Sequence, residues 1–427
     1  MDRQYKPLTL SEFEDIVTNV LWVSIDTETT SLDWKTGQLA GISIFSPKGY
    51  GYIPTIDYRT VDSAALLSGE DVNVVKEIVR KLFESTPIFG WNLKFDAHFI
   101  GSFPEKCVDI QTGYWLLHEE GSMSLKTIAP LLTEQPEETY LDYRELLKKA
   151  SEYVHGEIDE VREAYAQAQS LLYKSTKKTE GSTKAVALGE AKLLFPKPKA
   201  TIQDIPIEWL VEYAIKDVVL PMLLWESVVR DNLIADRLLG YFHSYEMPFL
   251  RTLWKMERKG IRVDREQLDQ VSRDARATML DTQAQIDMIV GHPLNVNSSK
   301  QLQETIFTEL GYAPTGRMTD AGLHSCDEAA MQMLHETYGT ETNLFELILE
   351  YRDAAKNEGT YAGKIPKLLH NERLHVSFNN TGTVTGRLSA EIVQQIPSEG
   401  PEAKKIRSSF IPKDGYVIIA ADLSQAE

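Results

Sequence analysis

Asp26 and Glu28, two residues apart, are the first side chains in this sequence that could do chemistry. They lie in residues 21–30, LWVSIDTETT, where Leu21, Trp22, Val23 and Ile25 read as a buried strand. The strand ends in Asp26-Thr27-Glu28. Side chains alternate faces along a strand, so the two acids point the same way. Two carboxylates held side by side repel, and burying them is costly unless a proton or a divalent cation offsets the charge. Alone, Asp-x-Glu at a strand end is commonplace, and solvated acids at a turn would explain it.

Two later segments add polar groups at helical spacing. Asn92 and Asp96 are four apart and share a helix face, and so do Tyr213 and Asp217. Each pair alone is also compatible with an exposed helix surface.

The elements that must position these groups are readable. Residues 21–56 form a β-meander, with strands at 21–26, 39–45 and 50–56 and a Ser-Pro-Lys-Gly turn at 46–49. Residues 71–84 have helical periodicity, and a short strand at 87–90 leads into the Asn92 segment. Residues 109–130 read as helix, loop, helix, with Ser124 as an N-cap. A helix starting at Asp204, with Pro206 in its first turn, carries Tyr213 and Asp217, and Pro221 kinks or divides it. Strands alternating with helices indicate an α/β domain with a mixed sheet. Residues 134–200 form an insertion: a polar helix, then the Ser/Thr/Lys-rich stretch STKKTEGSTK.

From about residue 240 the chain turns strongly helical, with Gly260 and Gly291 at C-cap positions, a cap at residues 297–299 and a long helix at 343–357. Short strands return after residue 374, and Tyr416–Ala421 reads as a buried strand that delivers Asp422 at its end. The 427 residues predict two or three domains: 1–235, 236–375 and 376–427. Apolar content of 42% and charged content of 25% are those of a globular protein, and no apolar run is long enough to cross a bilayer. Cys107 and Cys326 sit in no Cys/His cluster, which argues against structural zinc and disulfides and fits a reducing, cytoplasmic setting. The net charge of −18 argues against a protein that coats nucleic acid electrostatically.

Taken together and in order, D-x-E, N-x-x-x-D and Y-x-x-x-D resemble the three-motif signature of the proofreading 3′–5′ exonucleases, on a fitting strand–helix–helix framework. The resemblance implies an RNase H-like domain and phosphodiester hydrolysis assisted by two Mg²⁺ or Mn²⁺ ions, roughly 3.5–4 Å apart. Hard cations want oxygen ligands. Asp26 is expected to bridge the ions, Glu28 and Asp217 to complete the first site, Asp96 to help hold the second, and Tyr213 to orient the attacking water. Asn92 is expected to contact a single strand. Leu32 is expected either to wedge against the terminal base or simply to pack.

The C-terminal stretch resembles the opening of the palm in family A DNA polymerases, the class of bacterial DNA polymerase I and phage replicative enzymes. The matching residues are Thr385-Gly386-Arg387-Leu388-Ser389, Gln394-Gln395-Ile396-Pro397, Ile406-Arg407-Ser408-Ser409-Phe410 and Asp422-Leu423-Ser424-Gln425-Ala426-Glu427. Upstream, residues 351–368 resemble the family's thumb-to-palm segment, and residues 246–264 and 295–307 resemble its thumb. The resemblance implies a mainly helical thumb and an incomplete palm. It makes Asp422 a metal ligand for nucleotide addition, and Lys364, Arg387, Gln394 and Arg407 DNA contacts. Glu427 takes the position that helps exclude the ribose 2′-OH. Leu423 departs from the family's usual Tyr, whose backbone carbonyl is what ligates metal.

The implied partners are a single-stranded DNA 3′ end, primer–template DNA, and a C-terminal polymerase half with fingers and the rest of the palm. That half would be encoded separately or joined by splicing, unless the chain is simply cut. No membrane partner is implied, and a phage source would place the protein in the host cytoplasm. Two rivals are a stand-alone RNase D-type nuclease with a helical RNA-binding tail and a non-enzymatic DNA-binding subunit.

Overall fold

Strand β1 (Val23–Thr29) carries both acids of the first motif in its interior. The sequence places them at the strand's end, because Asp-Thr-Glu has little strand character. Pairing overrides that: β2 (Leu39–Ser46) lies antiparallel along the whole of β1, with Asp26 opposite Ser43 and Glu28 opposite Gly41. The structure, a computed structural model, describes residues 6–58, 69–132, 143–156, 201–319 and 321–422. They fall into two compact units, Met1–Lys255 with Asn380–Leu388, and Met256–Asn379 with Ser389–Glu427.

The first unit is built on a five-stranded sheet of order β3-β2-β1-β4-β5. β3 (Gly49–Pro54) and β2 extend β1 antiparallel, while β4 (Pro87–Gly90) and β5 (Lys106–Asp109) lie parallel to it. This is the mixed sheet expected from the alternation of strands and helices. β5 escapes the sequence reading because four residues, KCVD, carry no usable period. Helix α1 (Leu10–Val17) starts at a capping box between Thr9 and Glu12. Helix α2 (Gly69–Ser85) lays Val75, Val79 and Phe83 against Val23, Ile25, Ile42, Ile44 and Ile88 of the sheet. Burying an aliphatic side chain of this size contributes about 1.5–3 kcal/mol, so this layer is a rigid floor beneath the acids.

Helix α3 (Leu93–Ile100) follows β4. Asn92 is its N-cap in the left-handed conformation (φ 63°), so it precedes the helix and does not share a helical face with Asp96. Helices α4 (Ile110–Leu117) and α5 (Leu125–Leu132) come next, and α5 begins directly after Ser124. Within the 134–200 insertion, α6 (Tyr143–Gly156) is described. The helix and the STKKTEGSTK stretch expected after Gly156 lie outside the described residues.

Helix α7 (Ile207–Leu224) starts later than expected, with Pro206 as its N-cap. Asp204 closes a preceding 3₁₀ turn instead, its Oδ2 accepting from the Thr201 amide and hydroxyl, both at 2.8 Å. Nor does Pro221 divide the helix. The chain runs through it, and the change of pitch comes at the π-helical turn Trp225–Val229.

The second unit joins helices to a four-stranded sheet of order β11-β6-β8-β7, formed by β6 (Ile261–Val263), β7 (Leu369–His370), β8 (Arg373–Leu374) and β11 (Phe410–Ile411). Its long helix α8 (Arg265–Val290) is capped by Asp264, which accepts from the Gln267 amide, and ends at Gly291 (φ +85°). α8 packs against α9 (Leu344–Lys356) and supplies Leu268 and Val271 to a core with Tyr361, Ile365 and Ile406. The helix Glu328–Tyr338 was not anticipated. The buried strand expected at Tyr416–Ala421 does not form: Val417 and Ile419 are 78% and 84% exposed, and Asp422 is exposed with them. A strand exists by pairing, and among the described residues none lies alongside this stretch. Among those residues no helix is long and apolar enough to cross a membrane.

Candidate active site

β1 and α7 bring three carboxylates together. One carboxylate oxygen each from Asp26, Glu28 and Asp217 lies within 4.8 Å of the others. Asp26 is partly buried, and Glu28 and Asp217 are buried. The sheet aligns the first two on one face, and α7 crosses β1 and β2 to add the third. A side chain at position 41 would run into the Tyr52 ring, so Gly41 opposite Glu28 leaves the space that ring fills. The Tyr52 hydroxyl meets Tyr58 Oη at 2.7 Å, and Tyr58 donates to the Ala40 carbonyl, which closes the floor under Glu28.

Asp96 enters from α3. β1 pairs with β4 only at Val23 and Ser24, so beyond that point the β1 backbone facing β4 has no strand partner. The Thr27 amide is such a group, and it donates to Asp96 Oδ1 at 2.8 Å. The Thr27 hydroxyl donates to the same oxygen at 2.6 Å. Asp96 is thus held beside the three-acid cluster by the residue between the two motif acids.

The electrostatics match an acid cluster drawn out of water. Burial raises the Asp26 carboxyl well above its ordinary value, and the charges of Asp96, Asp217 and Glu28 add to the rise. Glu28 is pushed up to about 8 by burial and then by Asp217. Asp96 rises to about 7 through burial, although its two hydrogen bonds from Thr27 pull the other way. Lys126 opposes the rise at both Asp26 and Glu28. Its ammonium donates to the Tyr213 hydroxyl and stands 4.1 Å from the centre of that ring.

Lys126 and Thr27 are the two residues here that sequence reasoning missed. Thr27 stood between the motif acids and could have been asked what its hydroxyl does. Lys126 carries no spacing signal, since its partner is 87 residues away.

A carboxylate-only donor set of this closeness fits hard divalent cations and fits zinc or copper poorly, since among the described residues no His or Cys joins it. Leu32 is 85% exposed, and Asn92 is exposed at the start of α3.

The polymerase-like residues come from both units, Arg387 from the first and the others from the second. Lys364, Arg387 and Gln394 are exposed. Gln394 Oε1 accepts from the Ala390 amide. The Arg407 guanidinium is engaged by the carbonyls of Pro397 and Ile396, at 2.7 and 3.0 Å, and so clamps the loop before its helix. Glu427 lies outside the described residues.

Comparison with known proteins adds two segments. A family described as DNA polymerase family A matches residues 265–427, and one described as 3′-5′ exonuclease matches residues 6–167. The C-terminal part of the chain is thus similar to family A DNA polymerases and its N-terminal part to 3′-5′ exonucleases. It is 36% identical to the thermostable DNA polymerase I of Thermus filiformis over 198 residues, 45% of this chain and 23% of that protein. It is 27% identical to DNA polymerase I of Borreliella burgdorferi over 433 aligned residues, 99% of this chain and 41% of that one. The chain therefore spans less than half the length of these relatives. A solved structure of the POL domain of Pol1 from M. smegmatis, in complex with DNA primer-template and dNTP, shares the fold. Its TM-score is 0.66 at 18% identity, covering 96% of this chain and 59% of that one.

Proposed function

We propose that the first unit is a two-metal 3′–5′ exonuclease that removes the terminal nucleotide of a DNA strand, and that the second unit belongs to the polymerase whose errors it corrects. The observation that carries this is the convergence of Asp26, Glu28 and Asp217 within 4.8 Å, with Asp96 beside them and Tyr213 on the same helix as Asp217. Asp26 would bridge two Mg²⁺ or Mn²⁺ ions. Glu28 and Asp217 would complete the first position, and Asp96, held by Thr27, would help hold the second. When bound, such ions lower the pKa of the attacking water and stabilise charge on the leaving oxygen. The chain's own residues do the rest. The acids would hold the cations in their deprotonated form, Tyr213 would orient the water through its hydroxyl, Leu32 would separate the terminal base from its neighbour, and Asn92 would steady the single strand.

In the second unit, Asp422 would be one of the two carboxylates for nucleotide addition, with Glu427 at the ribose. Lys364 and Gln394, and Arg387 of the first unit, would track the primer–template, and Arg407 would shape the loop before its own helix. A groove of about 1120 Å³, lined by Ile261, Val376, Phe410 and the exposed run from Tyr416 to Ile419, suits packing by the remaining palm strands. Those strands would come from a C-terminal polymerase half, in the same polypeptide or as a separate chain.

Incubation with a 5′-labelled single-stranded DNA and its RNA counterpart tests the nuclease reading. Stepwise shortening of the DNA that needs Mg²⁺ or Mn²⁺, and that is abolished by Asp26→Ala with Glu28→Ala in a folded protein, is expected. Removing two ligands forfeits most of a cation effect worth several kcal/mol. Preference for RNA would favour the RNase D-type reading. Digestion by the double variant at the wild-type rate would remove the site assignment.

A further inference from the structure

The Lys126 ammonium, which the three motifs do not supply, acts on the charges of both Asp26 and Glu28, and α5 is built to hold it there. Tyr213, Asp217, Leu220 and Leu224 follow one another at i, i+4, i+7 and i+11 and so share one face of α7. α5 lies along that face. Its Leu125 and Ile128 pack on Leu220 and Leu224 in a small cluster edged by Trp91 and Tyr114. The approach to α5 is pinned as well, since the Met123 carbonyl accepts from Trp91 Nε1 at 3.1 Å and from Gln111 Nε2 at 3.2 Å. Lys126 therefore reaches Tyr213 from a braced helix.

An ammonium has three donors and no acceptor, whereas a phenol can both donate and accept. Where Lys126 donates to the Tyr213 oxygen, the phenol's own proton is left for a different acceptor. The same ammonium stands 4.1 Å from the ring centre, and this second attraction holds the pair together.

Resting on the exonuclease reading, we propose that Lys126 is a positioning residue for the hydrolysis: it fixes the Tyr213 hydroxyl as a donor to the attacking water and places a permanent positive charge beside the carboxylates. The two effects of that charge run in opposite directions. It orders the hydroxyl for turnover, and it repels an arriving divalent cation, so the site trades some metal affinity for a better-placed water. A Lys whose role was only to brace α5 would not couple these two readouts.

The test uses the full 427-residue chain, Lys126→Met and Lys126→Arg, and three measurements: kcat and KM on single-stranded DNA, Mn²⁺ affinity by calorimetry without DNA, and thermal unfolding. Lys126→Met is expected to lower kcat by ~10- to 10²-fold with little change in KM, and to bind Mn²⁺ several-fold more tightly. Lys126→Arg keeps the charge and should keep the wild-type Mn²⁺ affinity and part of the rate. Adding Lys126→Met to Tyr213→Phe should cost little further rate, because the lysine acts through that hydroxyl. Wild-type kcat in Lys126→Met, or Mn²⁺ affinity unchanged or weakened, would overturn the inference while leaving the exonuclease reading intact. A wild-type chain that digests no DNA would overturn both.

Discussion

Glu28 and Asp96 keep their protons to about pH 8 and about pH 7, far above ordinary carboxylates, because burial and neighbouring acids disfavour their charge. The consequence for stability has a definite sign. The folded state holds these protons more tightly than the unfolded chain does. Their contribution is therefore fully present below the ordinary carboxylate range and is lost as pH rises through about 7 and then 8. In EDTA the melting temperature of the first unit should fall progressively between pH 5 and about pH 8 and then level off. Mn²⁺ should restore it most at the upper end, with protons released on binding. Glu28→Gln with Asp96→Asn should flatten the profile, and an equally steep profile in that variant would show that other groups carry it. The motif acids and Tyr213 were legible because their spacings survive in one dimension. Lys126 was not, because nothing local links it to Tyr213. The Asp96–Thr27 bonds were hidden too, since they depend on β1 parting from β4 after Ser24.

At the level of elements, α5 and α7 act as one device. Leu224 is fully buried where the two helices meet. Leu224→Ala should cost about 2–5 kcal/mol, through lost burial and the cavity left behind, and should lower exonuclease rate without weakening Mn²⁺ binding, because α5 carries Lys126. Chemical denaturation together with a rate assay checks this, and a loss below about 1 kcal/mol would mean that the site collapses around the smaller side chain. Helices that stop at Gly260 and Gly291 could be read from the sequence, since those glycines supply the positive φ a helix end needs. Short strands could not, because β5, β7, β8 and β11 have two to four residues each and are defined by their partners. Pro221 misled for a related reason: it removes one hydrogen bond, and tertiary packing carries α7 past it to Leu224.

Across the whole molecule, the two units differ in how much of their chemistry is assembled. The first brings its acids together from β1, α3 and α7 across almost two hundred residues of sequence, so the fold itself makes the site. In the second, Asp422 stands on an exposed apolar stretch beside an open groove, and among the described residues no strand pairs with the stretch that sequence patterning expects to be one. Alternation of apolar residues states what a segment would do once paired, and the pairing has to come from elsewhere in the fold. The mixed sheet, the helical segment beyond residue 240 and the similarity to exonuclease and polymerase segments were all legible from motif order and periodicity. The state of Tyr416–Ala421 was not, because burial is a property of what surrounds a strand.

The central claim is that Asp26, Glu28, Asp96 and Asp217 hold two cations. Anomalous diffraction from crystals of this chain soaked in Mn²⁺ measures it directly. Two peaks roughly 3.5–4 Å apart are expected, with Asp26 touching both and Asp96 meeting the second. A Mn²⁺-soaked crystal with no anomalous peak among these four carboxylates, from protein that still digests DNA, would contradict the account.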